Sequence, residues 1–194
     1  MRVLVACEYS GVVRDAFWKA GHDAVSCDLL PTDSPGPHIQ GNVLDLLGDG
    51  FDLMIAHPPC TYLANSGAKW LYKGGKGDNG RDPERWAKME AGAEFFRALQ
   101  SAPIPRICIE NPIIHGYAKK IVGQQSQTVQ PWQFGHGEIK ATCLWLKGLP
   151  LLTPTDIVEG REARVHKLGP SADRWKLRST TYTGIASAMA AQFS

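Results

Sequence analysis

No stretch of 18 apolar residues occurs in this 194-residue chain, so no membrane-spanning helix is expected. The N-terminus, MRVLVACEYSG, carries one Arg and a short apolar run that stops at Glu8; it reads as a strand rather than a signal peptide. There is no internal repeat and no low-complexity tract. Neither sign of charge is in excess, the formal net charge being +2, so composition alone does not point to a polyanionic partner. Cysteines are few, odd in number and scattered (Cys7, Cys27, Cys60, Cys108, Cys143), several of them inside apolar runs. A disulfide framework is therefore not expected, and reduced thiols in a cytoplasmic protein are. The length suffices for one full core, so residues 1–194 are expected to form a single domain.

What is present is an alternation of apolar runs with helical segments. RVLVACE and DAVSCDLLP read as strands, with VVRDAFWKAGH between them as a helix that Gly21 stops. FDLMIAHPP reads as a third buried strand and RICIENP as a fourth. The segment DPERWAKMEAGAEFFRALQSA is a helix: Asp82 caps it, Pro83 suits its first turn, and Trp86, Met89, Ala93 and Phe96 share one side. Strands that are apolar on both faces, alternating with helices, predict an α/β architecture, a mostly parallel sheet covered by helices on both faces. Beyond about residue 125 the pattern changes. TVQPWQF and ATCLWLKGLP look like an antiparallel pair, residues 153–178 form a polar, irregular insert, and GIASAMAAQF closes the chain as a helix. The Gly-rich, charged segment 72–82 is expected to be a mobile loop.

In open parallel sheets ligands bind beyond the carboxyl ends of the strands, and polar signals fall at all four. CEYSG follows the first strand: Cys7, Glu8, Ser10 and Gly11 form a turn into a helix start whose amides favour an anion or a carboxylate. Asp28 ends the second strand, where a carboxylate can accept hydrogen bonds from a ribose. Together they fit a nucleoside-type cofactor or, alternatively, a structural turn. This turn has neither G-x-G-x-x-G nor a phosphate-binding G-x-x-x-x-G-K-[ST], which favours a cofactor without phosphates. Asn42 and Asp45 in GNVLDL are candidates for the adenine side, or for a helix cap. After the third strand two prolines, Pro58 and Pro59, stop the ladder and hold Cys60 on a rigid stub, as a nucleophile or a small buried hydrophobe. After the fourth, Glu110 and Asn111 supply an acid in the same cleft or a polar turn. Burial is expected to raise the Glu110 pKa and let it hold a proton near neutrality.

The ordered set VLVACEYSGVVRDAF, HPPCTYLANSG, IENP, KATCLWLKGLP and RSTTYTGIASAMAAQF resembles the DNA cytosine carbon-5 methyltransferases. Over nearly the whole chain it resembles the small phage and prophage cytosine methyltransferases that lack a target-recognition domain; for a phage-encoded protein the compartment is the bacterial host cytoplasm. The resemblance implies a Rossmann-like S-adenosylmethionine-dependent fold and methyl transfer to cytosine carbon-5 through a covalent adduct at Cys60. Glu110 would act on ring nitrogen-3, and Asn111 would brace the glutamate or the Pro-Pro turn. S-adenosylmethionine would lie over residues 7–11 with Asp28 on its ribose, Asn42 and Asp45 near its adenine, and Pro58 beside it. Pro59 and Arg178 would face the substrate. The family's Gln-x-Arg-x-Arg motif has no arginines here, and Gln127 or Gln130 could substitute only in part.

The substrate implied is cytosine-containing DNA or a free deoxycytidine nucleotide; a degenerate homologue that binds cofactor or DNA without turnover is the non-enzymatic alternative. In the insert, Arg161, Arg164, Lys167, Arg174, Lys176 and Arg178, with His166 and Trp175, could meet phosphate and base or form a solvated loop. Amino-group methylases would place an aromatic residue where Cys60 stands. Zinc deaminases need P-C-x-x-C, and TYL follows Cys60. His57 and Cys60 have no matching second pair to build a metal site.

Overall fold

The computed structural model describes residues 1–74 and 80–194. Among them, seven strands form one sheet in the order β3-β2-β1-β4-β5-β7-β6. The strands are β1 (Arg2–Ala6), β2 (Asp23–Asp28), β3 (His38–Gln40), β4 (Leu53–Ala56), β5 (Arg106–Pro112), β6 (Gln127–Val129) and β7 (Thr142–Lys147). The first five run parallel; β7 is antiparallel to β5, and β6 to β7. The helices are α1 (Val12–Lys19), α2 (Pro83–Gln100), α3 (Gly116–Val122), α4 (Arg164–Lys167), α5 (Arg174–Ser179) and α6 (Thr183–Gln192).

Strand alternation divides the core into two layers. Leu4, Ala6, Met54, Ala56, Ile107 and Ile109 face one side and pack with Met89, Ala93, Phe96 and Leu99 of α2 and Ala118 and Val122 of α3. Val3, Val5, Leu53, Ile55 and Cys108 face the other and pack with Val13 and Phe17 of α1 and Ile185, Ala186 and Met189 of α6. Each fully buried large side chain contributes about 1.5–3 kcal/mol, so the strand ends are fixed from both faces. The caps follow the sequence: the Asp82 carboxylate accepts the Arg85 amide at 3.1 Å with Pro83 opening α2, and α1 ends before Gly21 at a φ of 86°.

Three features depart from the sequence reading. Strand β3 is extra: it pairs with β2 through Ser26–His38 to Asp28–Gln40, and its side chains are partly exposed, so no apolar run announces it. The insert is tied down rather than irregular. Its first half bonds along residues 132–139, with Gly135 N–H donating to the Asp156 carbonyl at 2.7 Å and Ile139 N–H to that of Glu162 at 2.8 Å, and its second half holds α4 and α5. Arg14 is completely buried under the loop after β2. It donates to Asp15, Ser26, Thr32 and the carbonyls of Ser34 and Pro35 at 2.8–3.3 Å, the saturation that a buried guanidinium requires. Of the Gly-rich segment 72–82, residues 75–79 lie outside the described residues. Its flanks meet where the Lys73 amide donates to the Gly80 carbonyl at 2.9 Å.

Among the described residues no helix is long and apolar enough to cross a membrane.

Candidate active site

Strands β1, β4 and β5 are adjacent, so the segments that follow them converge. They open on one cavity of about 140 Å³ lined by Cys7, Glu8 and Ser10, by His57 to Cys60, and by Glu110 and Asn111. The far wall comes from Lys140 to Thr142 and from Arg178 to Thr181. Cys60 and Glu110 thus face one space, although 50 residues separate them in sequence.

The Pro-Pro stub is braced: Asn111 Nδ2 donates to the Pro58 carbonyl at 2.9 Å. The bracing falls on the prolines rather than on the glutamate. Past the prolines, the amides of Leu63 and Ala64 both donate to the Cys60 carbonyl, at 3.0 and 2.8 Å, closing a tight turn around the cysteine. Burial pushes the Cys60 thiol up, while the cations of Arg178 and Lys140 oppose that rise. Burial with Asp28 and Cys27 nearby pushes Cys7 up to about 12, and burial pushes Cys108 well above the ordinary thiol value.

Glu110 overturns the expectation that burial raises its pKa. Burial does act in that direction, but His57 outweighs it by hydrogen bond and charge, helped by Lys140 and by the hydroxyl of Thr181, so the Glu110 pKa is lowered. His57 Nδ1 lies 3.3 Å from Oε2, and Thr181 Oγ donates to the same oxygen at 3.2 Å. The partner shift is reciprocal. Burial works against charge on His57, and the bond and charge of Glu110, with Glu8 beyond, raise its pKa nonetheless. The carboxylate is held ionised and the proton rests on the imidazole.

The turn leading into α6 delivers Thr181. It can approach because position 184 is glycine: a Cβ there would run into the Phe134 carbonyl. Lys140, in the loop before β7, donates to the Thr180 carbonyl at 3.1 Å; burial lowers its pKa despite the opposing charges of Glu110 and Cys60. Neither Lys140, Thr181 nor His57 as a partner of Glu110 was singled out from sequence. Each belongs to a segment remote in the chain from the residue it touches.

Towards the candidate cofactor side, Cys7 has a φ of 57°, a left-handed conformation that costs a non-glycine residue of order 1–3 kcal/mol. This turn lets Glu8 swing back under α1. Its carboxylate accepts the Val13 amide at 2.7 Å, the Arg14 amide at 3.2 Å and the Ser10 hydroxyl at 3.1 Å. The helix N-terminus is therefore filled by the chain's own carboxylate, which leaves that end of α1 unsuited to a phosphate. Asp28 closes β2; its Oδ1 accepts the Leu30 amide at 2.9 Å, and no described bond ends on Oδ2. Asn42 caps a short 3₁₀ turn, accepting the Leu44 amide at 3.1 Å, and Asp45 lies within that turn. Gly11, Asp28, Asn42 and Asp45 do not line the cavity.

On the expected substrate side Pro59 and Arg178 line the cavity, and the two glutamines do not. Gln127 spends both polar atoms on the backbone of Leu152, at 2.7 and 2.8 Å. Gln130 accepts the Lys140 amide at 3.1 Å. Helix α5 lies across the turn after β1. The Trp175 ring packs on Tyr9 at 5.4 Å, Tyr9 Oη meets Ser179 Oγ at 3.2 Å, and Lys176 pairs with Asp33 at 3.1 Å. Other insert cations are also engaged within the chain. Arg161 stacks on Trp132 at 3.8 Å, and Arg164 pairs with Glu138 at 2.6 Å. His166 is exposed.

No family model and no curated protein matches the chain. Solved structures do. A prophage-encoded protein of Escherichia coli, named for DNA modification methyltransferase activity, matches 81% of this chain over 52% of its own, with a TM-score of 0.50 and 15% identity. The methyltransferase EhMeth of Entamoeba histolytica matches 89% of this chain over 61% of its own, with a TM-score of 0.50 and 10% identity. The chain thus spans about half to three-fifths of the length of these structures. Five parallel strands followed by a reversed β7 inserted beside β5, taken with these likenesses, give the chain the Rossmann-like fold of S-adenosylmethionine-dependent methyltransferases.

Proposed function

We propose that the chain transfers a methyl group from S-adenosylmethionine to carbon-5 of cytosine in DNA, through a covalent adduct at Cys60. The observation that carries this reading is the opening of Cys60 and Glu110 onto one base-sized cavity from adjacent strand ends. The name of the prophage-encoded neighbour, a DNA modification methyltransferase, supports a nucleic-acid substrate. The residues fit the cofactor in a particular way. The helix N-terminus is already occupied by Glu8, which disfavours phosphates, while Asp28 keeps one carboxylate oxygen for a ribose diol. Asp28, the turn at Cys7 and Pro58 would hold the cofactor, whose electrophilic methyl group is the chemistry it supplies when bound.

The chain's own residues do the rest. Cys60 adds to carbon-6 as a thiolate, with Lys140 and Arg178 offsetting its charge. Glu110 meets ring nitrogen-3, so that electron density develops at carbon-5. Asn111 keeps the Pro-Pro stub, and hence the sulfur, in place. In a polynucleotide the base must first leave the stack.

A second reading, the same chemistry on a free deoxycytidine nucleotide, is favoured by one observation: Arg161, Arg164 and Lys176 are engaged within the chain rather than arrayed for phosphates. Intact-protein mass spectrometry with 5-fluorocytosine in single strand, duplex and free nucleotide, each with S-adenosylmethionine, tests both. An adduct is expected on DNA and is lost in Cys60→Ser. An adduct on nucleotide alone transfers the proposal to the second reading, and no adduct on any of the three defeats it.

A further inference from the structure

The residue before the two prolines stands at a specific position in the site. His57 follows the last residue of β4 and extends the ladder, its amide donating to the Ala6 carbonyl at 2.9 Å. Register pairs Ala56 with Ile109, so the next residues, His57 and Glu110, stand side by side at the carboxyl ends of β4 and β5. Nδ1 sits 3.3 Å from Glu110 Oε2, and Nε2 is buried with no partner among the described residues. A neutral alanine or glycine would fill this place without desolvating an imidazole; a buried ring aimed at a buried carboxylate has cost that only a paired charge offsets.

We propose that His57 is a positioning residue that stores the proton Glu110 passes to ring nitrogen-3 of the cytosine. This rests on the cytosine reading above. In the resting site Glu110 is a carboxylate and cannot donate. When the Cys60 thiolate bonds to carbon-6, the carbon-5–carbon-6 π pair shifts to carbon-4–carbon-5, and the carbon-4–nitrogen-3 π pair becomes a lone pair on nitrogen-3. That lone pair takes a proton from Glu110, which takes the Nδ1 proton of His57. The carbon-4–carbon-5 π pair would then bond the methyl group as its bond to the sulfonium of S-adenosylmethionine breaks, leaving the thioether, and the nitrogen-3 lone pair would re-form the carbon-4–nitrogen-3 double bond. The carbon-5 hydrogen leaves as a proton to water, its pair becomes the carbon-5–carbon-6 double bond, and the sulfur–carbon-6 bond breaks to return the Cys60 thiolate. The nitrogen-3 proton then returns to Glu110 and His57, and the site is reset. The groups facing His57 set its titration: Glu110 from β5 and, more weakly, Glu8 from the turn after β1 favour its charge, while Lys140 from the loop before β7 opposes it. Cys60 and Arg178 act on the same cluster through Lys140.

The test uses His57→Asn, whose amide can still donate to Glu110 but cannot store a proton, and reads the rate of 5-fluorocytosine adduct formation against pH. In the native protein the rate climbs with pH as Cys60 ionises, then levels where His57 gives up its proton, because each gain in thiolate is cancelled by a loss of acid. In His57→Asn Glu110 must carry its own proton, so levelling should begin at least one pH unit lower and the plateau should fall about tenfold, one pH unit of acid strength being tenfold in population. A native-like profile in His57→Asn overturns the proposal while leaving the cytosine reading intact; no adduct in the native protein overturns the reading first. A second measurement does not depend on turnover. In nitrogen-15 histidine spectra, His57 should stay protonated above the ordinary histidine range and fall back in Glu110→Gln. A titration unmoved by that substitution also refutes the proposal.

Discussion

Replacing Glu8 distinguishes a structural carboxylate from a cofactor contact. The side chain is about 5% exposed and holds two amides of the first turn of α1, at 2.7 and 3.2 Å. Glu8→Ala removes both acceptors. A lost N-terminal cap costs about 0.5–2 kcal/mol, and each buried donor left unsatisfied about 1–3 kcal/mol. These overlap, since Ser10 Oγ is already 3.4 Å from the Val12 amide and the cavity beside Glu8 can admit water. A loss of about 3 kcal/mol is expected, which for a chain of this size is about 6–12 °C in Tm. Glu8→Gln keeps an oxygen for Val13 but turns an amide NH₂ towards the Arg14 N–H, so about 1–2 kcal/mol is expected. Urea denaturation followed by circular dichroism, with the slope m unchanged, gives both values. If Glu8→Ala unfolds within about 0.5 kcal/mol of the native protein, the cap is not structural. If S-adenosylmethionine affinity falls at the same time, the carboxylate belongs to the cofactor.

Two further outcomes follow from the charged cluster. The His57 pKa is raised, so its stabilisation is complete below about 6.5 and is lost as pH rises through the folded value; the Glu110 pKa is lowered, so its stabilisation is complete above about 4.5 and is lost as pH falls through the folded value. The pair thus contributes fully between those limits, and the double variant His57→Asn/Glu110→Gln should lose less stability than the native protein as pH rises above about 6.5 through the folded His57 value; equal slopes in urea midpoints over that rise would contradict it. Separately, Lys140→Gln removes a cation that opposes the rise in the Cys60 pKa, so iodoacetamide should alkylate Cys60 more slowly at pH 8, by about threefold for each half unit. Unchanged labelling would remove Lys140 from the electrostatics of the sulfur.

The features legible in sequence are those that a single segment determines. Apolar runs gave the four main strands, Asp82 and Pro83 the start of α2, and the change of pattern near residue 125 the antiparallel pair. The strand-end rule brought Cys60 and Glu110 together, because it needs only the knowledge that both follow parallel strands. Features that depend on a second, distant segment were not legible. Strand β3 is three residues long and is held by backbone pairing. Glu8 caps α1 from three residues before its N-cap, Gly11, a reach that exists only because Cys7 turns left-handed. Gln127 looked free for a substrate, but its side chain is spent on Leu152.

The reversal at Glu110 has the same origin and carries the most chemistry. Read alone, a carboxyl at the end of an apolar strand should be neutral. Its actual partner comes 53 residues earlier, and the contact depends on β4 lying beside β5 in one register. Sheet order therefore decides the protonation state of the acid. This gives the residue before the prolines a function distinct from theirs. The prolines and Asn111 fix where the sulfur sits, while His57 fixes where the proton sits. The two settings are independent because Asn111 holds the Pro58 carbonyl and His57 holds the Glu110 carboxylate through different atoms. On the proposed proton store, a substitution at position 57 that preserves the Pro-Pro turn should then alter proton supply without displacing the Cys60 sulfur.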